Sequence, residues 1–341
     1  MRRTRDGRHK QTCPRGLRPE PERSAWGSSR QTRAMTVLEW TQDEERRTAM
    51  DSTTPEQGET SAGAWPAELI RGHAEGHAPL LIAPRPGLKI YKVMKLEHAI
   101  NSIEGGYLHF NRVDGYRDFP GADAEDGSQL PQDRGFNAAT TFKKSPDFSI
   151  AHYYDRARGR TYASCFAASN SDYIWENYGT GGSRGKIAFV FDAEKLRARI
   201  NRTVAGETSA LMVNGQRCTQ LFSVNSAMVE YVDRSFAREN LDVFPNPVRY
   251  TFIKDRAYAS EDEFRVALSA LGMGQFRLAN GSILTFPPSL QLAFDFREAM
   301  SDGTIEAILL SPDADIPALE AALIKARIRP QMSDAPPRQG L

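Results

Sequence analysis

Lys186-Ile187-Ala188-Phe189-Val190-Phe191 is the clearest strand in the chain. Behind one lysine it sets two β-branched and two aromatic side chains, the types that pack best on a pleated surface. A glycine-rich stretch, Gly179-Thr180-Gly181-Gly182, precedes it. Glu194 to Ile200 begins a helix after it. The unit is therefore helix stop, strand, helix, and the question is whether the rest of the chain repeats it.

It does not repeat it strictly. Upstream, Leu88-Lys89-Ile90-Tyr91-Lys92-Val93 reads as a strand, and Lys95 to Ile103 as a short helix closed by Gly105-Gly106. Tyr107 to Phe110 is a second short strand, and residues 111–137 form a polar loop containing Asp118-Phe119-Pro120. Tyr162 to Phe166 is a strand of small and aromatic residues. Ser169-Asn170-Ser171-Asp172 has the chemistry of a helix N-terminus, for a helix carrying Tyr173, Trp175 and Tyr178. Downstream, Ala227 to Val232 and Glu261 to Leu268 read as strands, the latter by alternation of polar and apolar residues. Ile305 to Leu310 is a β run and Ile316 to Ala326 an amphipathic helix. Strands and helices mix without strict βαβ alternation. The fold class is α+β, one domain with a mixed or antiparallel sheet and flanking helices over residues 81–335.

Residues 1–80 differ in composition, being rich in Arg, Gly, Ser, Thr, Pro and Glu. They are read as a disordered basic arm, with Met35 or Met50 as alternative starts, and residues 336–341 as a tail. The arm is expected to be dispensable, so that a version beginning near residue 80 keeps its melting temperature. His73 and His77, four apart in His-Ala-Glu-Gly-His, are read as linker because Gly76 weakens a helix and the order is not HExxH. Residues 1–34 hold ten Lys/Arg and three Asp/Glu, so the net charge of +1 leaves the remainder at −6. The folded part thus lacks the basic face of a dedicated nucleic-acid binder. No run approaches the length of a membrane helix, and the arginine-rich start has no apolar stretch behind it. Cys13, Cys165 and Cys218 are odd in number and lie far apart. A cytoplasmic location, without structural disulfides or structural metal, is expected.

Several motifs fail on inspection. The glycines at 179–185 run from helix to strand, with Arg184 where a dinucleotide fingerprint needs glycine. A Walker loop ending at Gly185-Lys186 would need glycine at Thr180 and a hydroxyl at Ile187. Cys165 has no motif-linked histidine and reads as a small core residue. The remaining feature is Glu261-x-Glu263-x-Arg265. On a strand these three share a face. They form either a solvated ladder or two carboxylates held in a cleft, one oriented by arginine.

The order and spacing of these elements resemble the bacterial and phage proteins grouped as domain of unknown function 2971, over roughly residues 88–335. The resemblance is carried by Ile90-Tyr91-Lys92, Leu108 to Arg112, Asp118-Phe119-Pro120 and Ser164-Cys165-Phe166. It continues through Trp175 and Tyr178, Gly185 to Phe189, and Val229-Glu230-Tyr231. Lys254, Glu261-x-Glu263-x-Arg265 and Ile305 to Pro312 complete it. Departures are Phe119 between the loop Asp and Pro, and Asp262 between the glutamates. The resemblance implies a pocket drawn from separated strands and a defence or toxin role. A macromolecular acceptor or an antitoxin/immunity partner goes with that role.

More distantly, the order Tyr91/Lys92, Ser164, Glu261-x-Glu263 is similar to that of ADP-ribosyltransferases, which implies a split sheet and NAD as substrate. Under that resemblance Glu263, Glu261 and Arg265 are catalytic, and Tyr91, Lys92, Ser164, Trp175 and Tyr178 hold the nucleotide. Two other readings stand beside it. One is a metal-dependent nuclease with Asp118, Glu261, Glu263 and Lys254 around magnesium. The other is a non-catalytic sensor binding a small nucleotide at Trp175 and Tyr178. A dinucleotide-sized cleft favours the first, Asp118 beside the glutamates the second, and glutamates salt-bridged away from any opening the third.

Overall fold

In a computed structural model the described residues are 33–36 and 81–328, less 119–120, 143–144, 206–210, 214, 219–221, 236, 238–247, 271–274 and 279–280. The chain separates into Met1–Gln31, outside the described residues, and Thr32–Leu341. His73, His77, Phe119-Pro120 and the tail also lie outside them.

Among the described residues eleven strands make one sheet. In chain order they are β1 (Arg33–Thr36), β2 (Lys89–Lys95), β3 (Tyr107–Arg112), β4 (Thr161–Ala167), β5 (Lys186–Asp192) and β6 (Leu211–Val213). Then come β7 (Gln216–Cys218), β8 (Phe222–Met228), β9 (Glu263–Ala270), β10 (Ser289–Ala293) and β11 (Ile305–Leu310). Among the described residues the helices are α1 (Leu96–Gly105), α2 (Pro131–Ala139), α3 (Ile150–Arg158), α4 (Asp172–Asn177), α5 (Ala193–Ala205), α6 (Phe296–Ser301) and α7 (Ile316–Lys325). Every pairing within this sheet is antiparallel. The α+β class therefore holds. Among the described residues no helix is long and apolar enough to cross a membrane.

The strand that decides the class, β5, lies between β2 and β11, with Ile187, Phe189 and Phe191 in the main core. Phe189 and Phe191 meet Phe296 and Phe294 at ring-centroid distances of 5.4 and 6.1 Å. Truncating such a side chain costs about 3–5 kcal/mol. The helix ends follow their sequence signals. Gly106 closes α1 at φ 62°, and Asp295 and Asp315 accept backbone N–H bonds at the starts of α6 and α7. The expected strand Ala227–Val232 is interrupted at Val229. Glu230–Val232 leaves the main sheet and pairs in parallel with Ile253–Asp255.

The path of β4 places the site. One edge of β4 is paired with β9 from Ser269↔Thr161 to Glu263↔Ala167. The other edge is shared: β3 pairs with Tyr162 and Ala163, and β2 with Ala167. Ser164 to Phe166 have no strand partner on that side. Lys92 spans the gap, its Nζ donating to the Cys165 carbonyl at 2.8 Å and to Ser164 Oγ at 2.9 Å.

One expectation about the arm changes. Arg33–Thr36 pairs with β11 from Arg33↔Leu310 to Thr36↔Ala307, so part of the arm covers the edge of an apolar strand. Deleting residues 1–31 should leave the melting temperature unchanged. Deleting 1–80 should lower it by about 2–4 °C, the effect of about 1 kcal/mol in a domain of this size. Equal melting temperatures for the two truncations, followed by circular dichroism, would show that β1 adds nothing.

Candidate functional site

Glu263 and Arg265 begin β9, and the alternation read from the sequence holds from Glu263 onward. Phe264, Val266 and Leu268 enter the main core, while Glu263 and Arg265 face the other way. It fails one residue earlier. Arg256–Glu261 is a short 3₁₀ turn, and Asp262 closes it in the left-handed conformation at φ 43°. Asp is among the few non-glycine residues that tolerate that region, because its short polar side chain bonds locally. Glu261 therefore reaches the site from the end of a turn, not from the strand. The two carboxylates still converge, because both accept from Lys254 Nζ, Glu261 closely and Glu263 at 3.2 Å.

Arg265 is fully buried and uses all five of its N–H donors. Nε and Nη2 donate to the two Glu263 oxygens at 2.7 and 2.8 Å. Nη1 and Nη2 donate to the two Asp126 oxygens at 2.7 and 2.9 Å, and Nη1 also donates to the Thr251 carbonyl. Lys254 stands 3.8 Å from Asp126. The Glu263 backbone N–H donates to the Tyr231 hydroxyl at 2.9 Å. The Cys165 thiol lies 3.3 Å from the Tyr116 hydroxyl. Three carboxylates and two cations thus share one buried cluster, where each charge depends on its partners.

The electrostatics separate the two glutamates. Burial pushes Glu263 up, but Arg265 and then Lys254 outweigh it and hold the carboxyl well below the usual range. For Glu261 burial prevails over Lys254, Glu263 repels it, and its pKa is raised. Burial opposes the charge on Lys254, and Glu263 and Asp126 overcome it, raising its pKa. Burial and the Glu263 charge push the Cys165 thiol to about 12, so it stays protonated and is no nucleophile near neutral pH.

Beside the cluster opens a small cleft of about 20 Å³, roughly the room of one water. Its sheet wall is Tyr91 and Val93 of β2, Cys165, Phe166 and Ala167 of β4, and Glu263 of β9; Glu261, Ile174 and Tyr178 complete it. Burial and the nearby charges of Glu263 and Glu261 push the Tyr178 hydroxyl far up. Of the residues singled out by sequence, Tyr91, Tyr178, Glu261 and Glu263 line the cleft, and Arg265 stands behind Glu263. Lys92 does not join Tyr91, because neighbours on a strand face opposite ways; it meets Ser164 in the gap of the sheet and lies 5.0 Å from the Phe166 ring centroid. Trp175 packs near Tyr91 and Val93 on the apolar cluster of Ala188, Val190 and Leu309, and its Nε1 donates to Asn170 at 2.7 Å. The spacing of three that joined Trp175 to Tyr178 does not apply, since α4 ends at Asn177 and Tyr178 is extended.

Asp118 is 78% exposed and 3.9 Å from Arg117, away from the buried glutamates. The third carboxylate of the cluster is Asp126. Sequence reading missed it because Asp126-Gly127 has the form of a loop turn, and nothing local points to a partner 139 positions away. Tyr231 was visible as part of Val229-Glu230-Tyr231, but its bond to the Glu263 N–H was not. Among the described residues no group of three or more His, Cys, Asp or Glu side chains is placed to hold a metal ion.

Two outcomes are expected. The stability that ionised Glu263 contributes, read as wild type against Glu263→Gln in urea, should be constant above pH 5. It should shrink as pH falls below the ordinary 4.5, because a depressed folded-state pKa gives stability that protonation removes. A difference that grows on acidification would contradict the pairing. Cys165 should resist iodoacetamide at pH 8 in the native protein and react in urea, by peptide mapping; rapid native labelling would place the thiol elsewhere.

Comparison with protein-family models, with curated proteins and with solved structures finds no match to this chain.

Proposed function

We propose that the cleft cleaves the bond between a ribose and a positively charged base, with NAD as substrate, in the manner of an ADP-ribosyltransferase or NAD glycohydrolase. The observation that carries this reading is the pair of carboxylates on one ammonium at the cleft wall, with environments that drive their pKa values apart. Such a pair divides the labour: one group stays ionised and the other takes up a proton more readily. In the reaction the C1′–N bond breaks, its electron pair passes to nicotinamide, and the ribosyl ring becomes an oxocarbenium ion. Glu263 faces that charge as a permanent anion. Water or an acceptor then forms the new bond to C1′ and gives its proton to Glu261, as in glycoside cleavage. Tyr91 and Tyr178 offer faces for the flat ring. The gap between β2 and β3 agrees with the split sheet that the resemblance implies. On this reading the protein is a bacterial or phage cytoplasmic effector, acting on a macromolecular acceptor or held by an antitoxin or immunity partner.

A second reading, a binding module for a small nucleotide, is favoured by one observation. Both Glu263 oxygens are already engaged by Arg265 and Lys254.

The test is incubation with NAD, with and without cell extract, following free nicotinamide. Glu263→Gln should retain the fold and NAD binding and lose activity by about a hundredfold or more, the scale of a removed electrostatic stabiliser. Glu261→Gln should cost less or change the acceptor. Equal, mild losses would sink the catalytic reading, and NAD binding without nicotinamide release would favour the binding module.

A further inference from the structure

We infer that Arg234 and the start of α2 form a second binding site, which takes the phosphate group of free phosphate or of a nucleotide. Neither lines the cleft, so the site does not depend on what the cleft cleaves.

Charge is the first argument. Arg234 is only 7% exposed. Its Nη2 donates to the carbonyls of Ser128 at 3.1 Å and Gln129 at 3.2 Å. Its Nη1 is buried and has no hydrogen-bond partner among the described residues. The carboxylates on the neighbouring elements are committed elsewhere. Asp155 takes both Nη groups of Arg134 and the Gln129 amide. Asp133 accepts from the Tyr250 hydroxyl at 3.0 Å, and Asp126 from Arg265. Asp233 accepts from the Ser235 N–H at 3.0 Å. Arg265, equally enclosed, meets two carboxylates; Arg234 meets two neutral carbonyls. A guanidinium withdrawn from water without a counter-charge is costly, and an anion supplies that charge.

Position is the second argument. The two carbonyls that Nη2 holds come immediately before Leu130, the N-cap of α2, which offers no side-chain cap. Pro131 has no N–H, and those of Asp133 and Arg134 turn back to the Leu130 carbonyl. That leaves the Gln132 N–H to point out of the helix start. A helix start and a guanidinium fork together present the donors and the positive charge that phosphate oxygens accept. Gln132 Nε2 donates to the Ser235 carbonyl at 3.0 Å, closing the rim. Both residues are exposed, which gives a small anion its way in.

An anion here ties the loop of Asp126–Gln129 to the segment of Tyr231–Arg234. These two segments supply the buried cluster with the Asp126 carboxylate and with the hydroxyl that accepts from the Glu263 N–H. Occupancy therefore steadies the cluster without touching the cleft.

The test is the melting temperature of the full chain in sodium phosphate, AMP or adenosine, at ionic strength matched with sodium chloride. A site of about millimolar affinity raises it by about 5 °C at about 50 mM phosphate. A larger shift with AMP at the same concentration makes a nucleotide the source, and a smaller one free phosphate. Adenosine should do nothing; a shift as large as that of AMP overturns the site. Gln132→Glu sets a carboxylate at the helix start, where it suits the dipole and takes the anion's place. It should fold and lose the response to phosphate. Arg234→Gln should lose it too, and if that protein does not fold, Gln132→Glu decides alone. No shift in the wild type overturns the site. So does a shift of the same size in Gln132→Glu, which is the general stabilisation that phosphate gives by its exclusion from protein surfaces.

Discussion

Everything at the site depends on one buried guanidinium. Arg265 has no exposure to solvent, and a charge so placed is tolerable only if every donor is used. Its five N–H groups bind Glu263 on its own strand, Asp126 from the loop after β3, and the carbonyl of Thr251 before the 3₁₀ turn. Two other segments, at Asp126 and Thr251, are thus fixed against β9 by one planar fork. Lysine at this position would offer three donors from a point charge and could not hold the two carboxylates bidentately. The adjacent Tyr116 ring, 5.7 Å from the guanidinium, completes the enclosure.

The gap in the sheet follows a similar logic. Where β2 and β3 part along β4, a backbone carbonyl loses its ladder partner, and an unpaired buried carbonyl is costly. Lys92 fills that place on the Cys165 carbonyl, and burial lowers its own pKa. The separation leaves Cys165 and Ala167 as a floor of small side chains between Tyr91 on one side and Glu263 on the other. The cleft is thus a consequence of strand divergence.

The fold was largely legible because its signals are local. The apolar run at Ile187–Phe191, the glycine stop at Gly106 and the capping aspartates each fix a nearby element. The site was legible only in part, for two reasons. Period-two reasoning placed Glu263 and Arg265 correctly and Glu261 wrongly, since Asp262 takes a left-handed backbone that no alternation pattern reveals. The same period separates Tyr91 from Lys92, which the resemblance had grouped, and the early end of α4 separates Tyr178 from Trp175. Asp126 was out of reach, because its role is set wholly by a tertiary ion pair.

What distinguishes the cluster from an ordinary buried salt bridge is its imbalance. A structural ion pair is most stable when each carboxylate meets its own cation and both stay ionised. Here Arg265 and Lys254 both serve Glu263, and Glu261 is left with a share of Lys254. Its charged form is disfavoured by burial and by Glu263 together. A network built for stability alone gains nothing by leaving its least compensated carboxylate on the wall of a cleft. On the proposed reading that asymmetry sets a fixed negative charge beside a group able to take up a proton, and the left-handed turn at Asp262 brings the second carboxylate to it.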